Sequence, residues 1–156
     1  SFLAFLEGFY YLCECKQQNN ELMKVLSIRQ PYAWLIAIGC KTIENRTWNR
    51  KFRGRFLIHA SQAKPEKLDG WQESAMKKYC QEHGIVIPDF KDLPTSAIIG
   101  SVELDDIQFH EAYPDAFAED FQYHWFLKNA KLFDEPIRNV KGKLFLWDYE
   151  YNETEM

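Results

Sequence analysis

"SIRQPYAWLIAIGCKTIENRTW", residues 27–48, holds the transition that decides the fold. Within it "PYAWLIAI" reads as a helix, with Pro31 in its first turn and Gly39 just past its end. That segment is apolar on nearly every side, so it is predicted to be buried. The chain leaving it changes character, because Lys41, Glu44 and Arg46 fall within six positions. In an extended strand Thr42, Glu44, Arg46 and Trp48 share one face, and Ile43, Asn45 and Thr47 share the other. A strand that spends one face on charge, directly after a buried helix, has a use for that charge.

Working outward, "KVLSI" (24–28) precedes the helix as a short strand. "GRFLIHAS" (54–61) follows the charged strand across the basic link "NRKFR", and the two strands are predicted to pair as a hairpin. On the second strand Phe56, Ile58 and Ala60 form one face, and Arg55, Leu57, His59 and Ser61 the other. From Pro65 to His83, the residues Leu68, Trp71, Ala75, Met76, Tyr79 and Cys80 recur at helical spacing, with Gly84 as the stop. "SAIIGSVELDDIQF", "YHWFLKNAKLF" and "KGKLFLWDYEY" supply further strands, and His110 to Phe121 reads as a loop or short helix. The sum is a mixed α+β domain whose strands curl into a small barrel.

The 156 residues suffice for one core without staples. Residues 1–22 look different: Phe2, Phe5, Leu6, Phe9, Leu12 and Cys13 recur at helical spacing ahead of the polar "KQQNN". They are expected to form a helical extension, packed on the domain or pairing two copies in a homodimer, because so aromatic a stripe would not stay in water. The domain proper is then 23–152, followed by a tail of 153–156. Cys13, Cys15, Cys40 and Cys80 make no C-x-x-C pair, which excludes the usual zinc and redox spacings and points to reduced thiols. Neither a metal nor a cofactor is expected. No apolar run approaches the roughly 20 residues that span a bilayer. The N-terminal stretch lacks a basic lead and carries Glu7, unlike a signal peptide. A cytoplasmic protein with no membrane partner is the expectation.

A net charge of −4 argues against a general polyanion binder, but it averages over a strong asymmetry. Residues 24–67 hold ten basic side chains against Glu44 and Glu66, a balance of +8, so the remainder carries −12. Such polarity steers an anionic partner to one side. At 16%, the aromatic content is also high, and flat ligands stack on aromatic platforms as well as filling cores.

If the polar faces of the two middle strands adjoin, they build a cleft floored by Glu44, Arg46, His59 and Ser61, with Lys41 at its entrance. A plainer arrangement is equally open at this level: Glu44 and Arg46 pair as a salt bridge and His59 is a satisfied barrel histidine. Trp34 and Trp48 suit core packing better than a platform. Gln30 can cap the helix start or donate to a ligand.

The stretch "SIRQPYAWLIAIGCKTIENRTW", with "RGRFLIHAS" after it, resembles the ASCH domain of the PUA-like superfamily. The family pattern G-x-K-x-x-E-x-R is matched by Gly39, Lys41, Glu44 and Arg46, and the helix entry by Ser27, Gln30, Pro31, Tyr32 and Ala33. "AIIGSVEL" and "EPIRNVKGKLFLW" agree with later strands of the family. The resemblance implies a small PUA-like β-barrel flanked by helices, with a cleft beside the motif that binds RNA, other nucleic acid or a nucleotide. Ser27, Gln30, Trp34, Lys41, Glu44, Arg46, Trp48, His59 and Ser61 would line it, with Arg50, Lys51, Arg53 and Arg55 on the nucleic-acid backbone. Some small bacterial members resemble it while hydrolysing acetylated cytidine with a Lys, a Thr and a Glu. Lys41 matches that lysine, but Glu44 stands where the threonine would, and Thr42 is one residue from Lys41. A nucleoside hydrolase or ribonuclease, with Lys41 and Glu44 or Glu44 and His59 as the acid-base pair, is the alternative to a binding module.

Overall fold

The computed structural model describes residues 20–152. The predicted helix of the first 22 residues falls outside them as far as residue 19, as does the tail. Strand β1 (Asn20–Ile28) leads into helix α1 (Tyr32–Ala37), then β2 (Ile43–Arg46), β3 (Gly54–Ala60), helix α2 (Gly70–His83), β4 (Ala97–His110), β5 (Gln122–Ile137) and β6 (Leu146–Asn152). The first strand therefore starts three residues ahead of Met23, and Asn20 pairs with Asn152. Among the described residues the architecture is α+β: one mixed six-stranded sheet in the order β2-β5-β4-β3-β1-β6, with two α-helices.

β2 and β3 do not form the expected hairpin. β2 pairs antiparallel with the start of β5, from Ile43↔Phe126 to Arg46↔Tyr123. β3 lies between β1, parallel, and β4, antiparallel. Its composition accounts for this: Phe56 and Ile58 on one face and Leu57 on the other are all buried, so it needs partners on both edges and cover on both sides. Phe56, Ile58 and Ala60 join the main core with α1, whereas Leu57 packs with Val25, Ile98, Phe133, Trp147 and Tyr151 behind the sheet.

The sheet curls without closing. β2 and β6 are its two edges, yet Trp48, just past β2, meets Phe145, just before β6, with ring centroids 5.2 Å apart. Residues 141–145, expected to begin the last strand, belong to a connection that runs from 138 to 145; the strand starts at Leu146. The region from Glu111 to Phe121 is loop, as one of the two expectations had it.

Burial of Ala33 to Ala37 confirms the enclosed helix. Gln30 sits one residue before its cap and is fully buried; its side chain accepts from the Trp34 amide (3.0 Å) and donates to the Pro94 carbonyl (2.9 Å). It serves the helix entry. Trp34 is buried in the main core. Helix α2 starts later than the pattern suggested, where Asp69 and Gln72 form a reciprocal capping box, and it stops at Gly84 in the left-handed conformation. Met76 and Cys80 face inward, while Trp71, in the first turn, is exposed. Cys40 and Cys80 are free thiols. Among the described residues no helix is long and apolar enough to cross a membrane.

Gly39 makes the turn that delivers Lys41 to its place. Its φ of +87° suits glycine, and the Cys40 and Lys41 amides both bond back to the Leu35 carbonyl. A Cβ there would lie 2.8 Å from the Tyr79 hydroxyl, which donates to the Ile38 carbonyl at 2.8 Å. Gly39→Ala should therefore lower stability by roughly 2 kcal/mol in urea denaturation. The double variant with Tyr79→Phe should lose less than the sum of the two single losses, because the second change removes the colliding oxygen.

Candidate functional site

The motif charges form an ion triad in which Lys41 and Glu44 are buried and Arg46 is half-buried. Lys41, 2% exposed, places its ammonium 2.9 Å from Glu44 Oε1 and also donates to the Ile43 carbonyl. Arg46 grips the other carboxylate oxygen, with Nη2 at 2.7 Å and Nε at 3.2 Å from Oε2. Glu44 is 7% exposed, and its remaining neighbour is the Asn45 amide. Burial alone would raise the Glu44 carboxyl above its usual 4.5, but the charges and hydrogen bonds of Lys41 and Arg46 overcome it and hold the group at about 2. The strand period explains the Glu44–Arg46 pairing; the tight turn after Gly39 explains how Lys41 reaches the same carboxylate.

Lys41 does not stand at the entrance of a cleft floored by His59 and Ser61. Charges with this little exposure need partners, and the triad supplies them inside the protein. Lys41 and Glu44 line a cavity of about 50 Å³ shared with Tyr32, Asn45, Gln72, Phe117 and Glu119. His59 and Ser61 line a different space, because β2 and β3 are not neighbours in the sheet.

A polar chain joins the two places. Arg46 Nη2 also donates to the Ser27 carbonyl at 3.0 Å. The Ser27 side chain meets His59 Nδ1 at 2.9 Å, and His59 Nε2 meets the Val140 carbonyl at 2.7 Å. A carbonyl can only accept, so Nε2 carries the hydrogen, and Nδ1 of the neutral ring accepts the Ser27 hydroxyl. The Trp147 indole in turn donates to Ser27 Oγ at 3.3 Å. Burial holds His59 below its usual pKa of 6.5, and the Val140 bond offsets part of this. Both ring nitrogens are engaged, which leaves the ring a satisfied internal group.

Above this chain lies a groove of about 600 Å³, lined by Ser27, His59, Ser61, Gln62, Ser96 and the connection from Asn139 to Leu144. Gly142 packs directly on the polar chain: a Cβ would fall 2.8 Å from His59 Cε1 and 2.9 Å from Ser27 Oγ. Asn139 and Phe145, at the two ends of the connection, have φ of +58° and +60°. Between them Lys141, Lys143 and Leu144 are exposed. Among the described residues no carboxylate comes within ion-pairing distance of Lys141 or Lys143.

The basic link divides. Arg50 and Lys51 are exposed and without a carboxylate partner among the described residues, and Arg50 lies over the Trp48 ring at 4.4 Å. Arg53 is bound to Asp106 at 3.2 Å, and Arg55 donates to Ser101 Oγ and the Asn129 carbonyl, both at 2.8 Å. Of the side chains singled out from the sequence, Ser27, His59 and Ser61 reach the groove, and Arg46 supports it from behind.

These positions can be set beside known proteins. The family model for the ASCH domain matches residues 26–137, which include α1, the triad and all of β2 to β5. The chain belongs to the ASCH domain family. Human activating signal cointegrator 1 is 32% identical over 127 residues, covering 78% of this chain and 21% of the relative. The mouse protein of the same name is 31% identical over the same span and shares. The chain thus spans about a fifth of the length of the curated relatives it matches. Within this ASCH domain the motif lysine, glutamate and arginine are spent on one another, and the exposed Lys141 and Lys143, on the connection before β6, lie beyond the matched segment. Sequence reading passed over those residues by assigning "KGKLF" to a strand; Lys-Gly-Lys ahead of an aromatic residue was the available signal of a basic turn.

Glu44→Gln would leave Lys41 buried with a weakened partner and should cost roughly 3–5 kcal/mol at neutral pH in urea denaturation. Because the folded carboxyl titrates below its unfolded value, its contribution is complete above about pH 4.5 and is lost as pH falls through about 2. The variant should lack that part of the acid dependence. His59 works in the same direction at higher pH, near 6.5: its neutral folded form resists a proton that the unfolded chain accepts, so stability falls as pH drops below that value.

Proposed function

We propose that this ASCH domain binds nucleic acid, RNA in the first instance, along the groove between the 139–145 connection and the ends of β1 and β3. The observation that carries the reading is the pair Lys141 and Lys143, exposed at the groove and without carboxylate partners among the described residues. Cations that no internal carboxylate neutralises remain free to displace counterions from a phosphate backbone. Arg50 and Lys51 extend the basic rim beyond Phe145. The side chains of Ser61, Gln62, Ser96 and Asn139 offer neutral donors and acceptors along the floor, suited to sugar hydroxyls and base edges.

Hydrolysis is the weaker reading. A catalytic Lys41 or Glu44 would have to release partners at 2.7–2.9 Å and act from a cavity of about 50 Å³, and a general base at His59 would have to give up the Ser27 hydroxyl. Binding needs none of these rearrangements.

Affinity for a single-stranded RNA oligonucleotide, read by fluorescence anisotropy, should fall linearly in log K against log[salt]. The Lys141→Ala/Lys143→Ala variant should reduce the slope by about 1.4, at roughly 0.7 for each phosphate that is no longer neutralised. Arg53→Ala/Arg55→Ala should change it little, because both side chains are engaged within the domain. Binding that ignores salt, or a slope unchanged by the lysine substitutions, would overturn the reading.

A further inference from the structure

We propose that the outer face of Trp48 is a stacking platform for one nucleobase, covered in the free protein by the guanidinium of Arg50 and uncovered when single-stranded nucleic acid displaces it. The platform deepens the nucleic-acid reading above and rests on it.

Trp48 is half-buried and anchored. Its ring meets Trp125 edge to face, with centroids 5.0 Å apart at 86°, and Trp125 is fully buried in the core. Phe145 stands beside it at 5.2 Å and 77°, walling one side. The guanidinium carbon of Arg50 lies 4.4 Å from the Trp48 centroid and 5.3 Å from that of Phe145. A flat cation on an indole face occupies the place where a flat base would stack.

The cover is lightly held. Arg50 is exposed, and among the described residues its side chain hydrogen-bonds only the Asn49 carbonyl next to it, at 3.1 Å. Arg46 and Arg53, its neighbours in sequence, are each tied to a carboxylate. Arg50 can therefore swing away without breaking an ion pair, and a displaced guanidinium would meet the phosphate of the nucleotide that displaced it.

Phe145 adds an independent observation. It is 49% exposed and holds φ of +60°, a conformation that bulky side chains seldom adopt. An exposed aromatic ring in a strained backbone position, next to exposed Leu144 and Lys143, is costly for the free protein, and such strain gathers at ligand clamps. The groove runs up to Leu144, so a strand whose phosphates lie along Lys141 and Lys143 would bring its next base to the Trp48 face.

The test compares a labelled adenosine RNA decamer with the same decamer lacking its bases, by anisotropy at one salt concentration. The native domain should bind the decamer with bases about 5- to 150-fold more tightly, the span expected for one stacked base. Trp48→Leu should lower that ratio at least about 5-fold, the smallest effect expected for one stacked base. Phe145→Ala, at an exposed position, should reduce it in the same direction and keeps the test valid where Trp48→Leu does not fold. Equal binding of both decamers by the native domain, or a ratio unmoved by Phe145→Ala, would overturn the platform and leave the groove intact. Binding of neither would overturn platform and groove reading together.

Discussion

A carboxylate taken almost wholly out of water must be matched by charge at close range, and Glu44 is matched on both oxygens. One cation comes from the turn after α1 and the other from two residues along its own strand. The second, Arg46, has donors to spare and uses one on the Ser27 carbonyl at 3.0 Å. From there the contacts run through the Ser27 hydroxyl and the His59 ring to the Val140 carbonyl. The arrangement of α1, β1, β2, β3 and the 139–145 connection depends on that one ionised group.

This dependence gives the motif a role different from direct contact with a ligand. Removing any member would leave a charge or a buried polar group uncompensated, which is costly in a low-dielectric interior. Kept complete, the chain of contacts fixes where the end of β1 sits and presses Gly142 against His59, so that the lysines on either side of Gly142 point outward at the groove. The edges of the curled sheet meet nearby through Trp48 and Phe145 rather than through a hydrogen-bond ladder. Side chains held by ring contacts and a lightly tethered arginine yield to a ligand more readily than paired strands do.

Much of the fold could be read from composition and period alone. The enclosed helix, its Pro31 entry and Gly39 exit, the placement of Glu44 and Arg46 on one face, and the two opposite faces of β3 all follow from local rules. The pairing of strands did not follow. β2 is four residues long and takes its partner from β5, about 80 positions away, and nothing within β2 or β3 specifies that choice. The expected cleft does not form for the same reason: one containing both Glu44 and His59 requires the two strands to be neighbours. Lys41 was placed at a rim because an isolated lysine in sequence gives no sign of a carboxylate three residues on bending back to it. Lys141, Gly142 and Lys143 were hidden by apolar neighbours that favour a strand, which in fact begins only at Leu146.

In the proposed mode of binding the motif charges support the groove from within, while the 139–145 connection makes the contacts. A backbone-amide NMR titration of the domain with a short single-stranded RNA separates these roles directly. Shifts should be largest at Lys141, Gly142, Lys143 and Phe145 and at Arg50, with Lys41 and Glu44 nearly still. Shifts centred on Tyr32, Lys41, Glu44 and Gln72, around the small cavity at the triad, would contradict it.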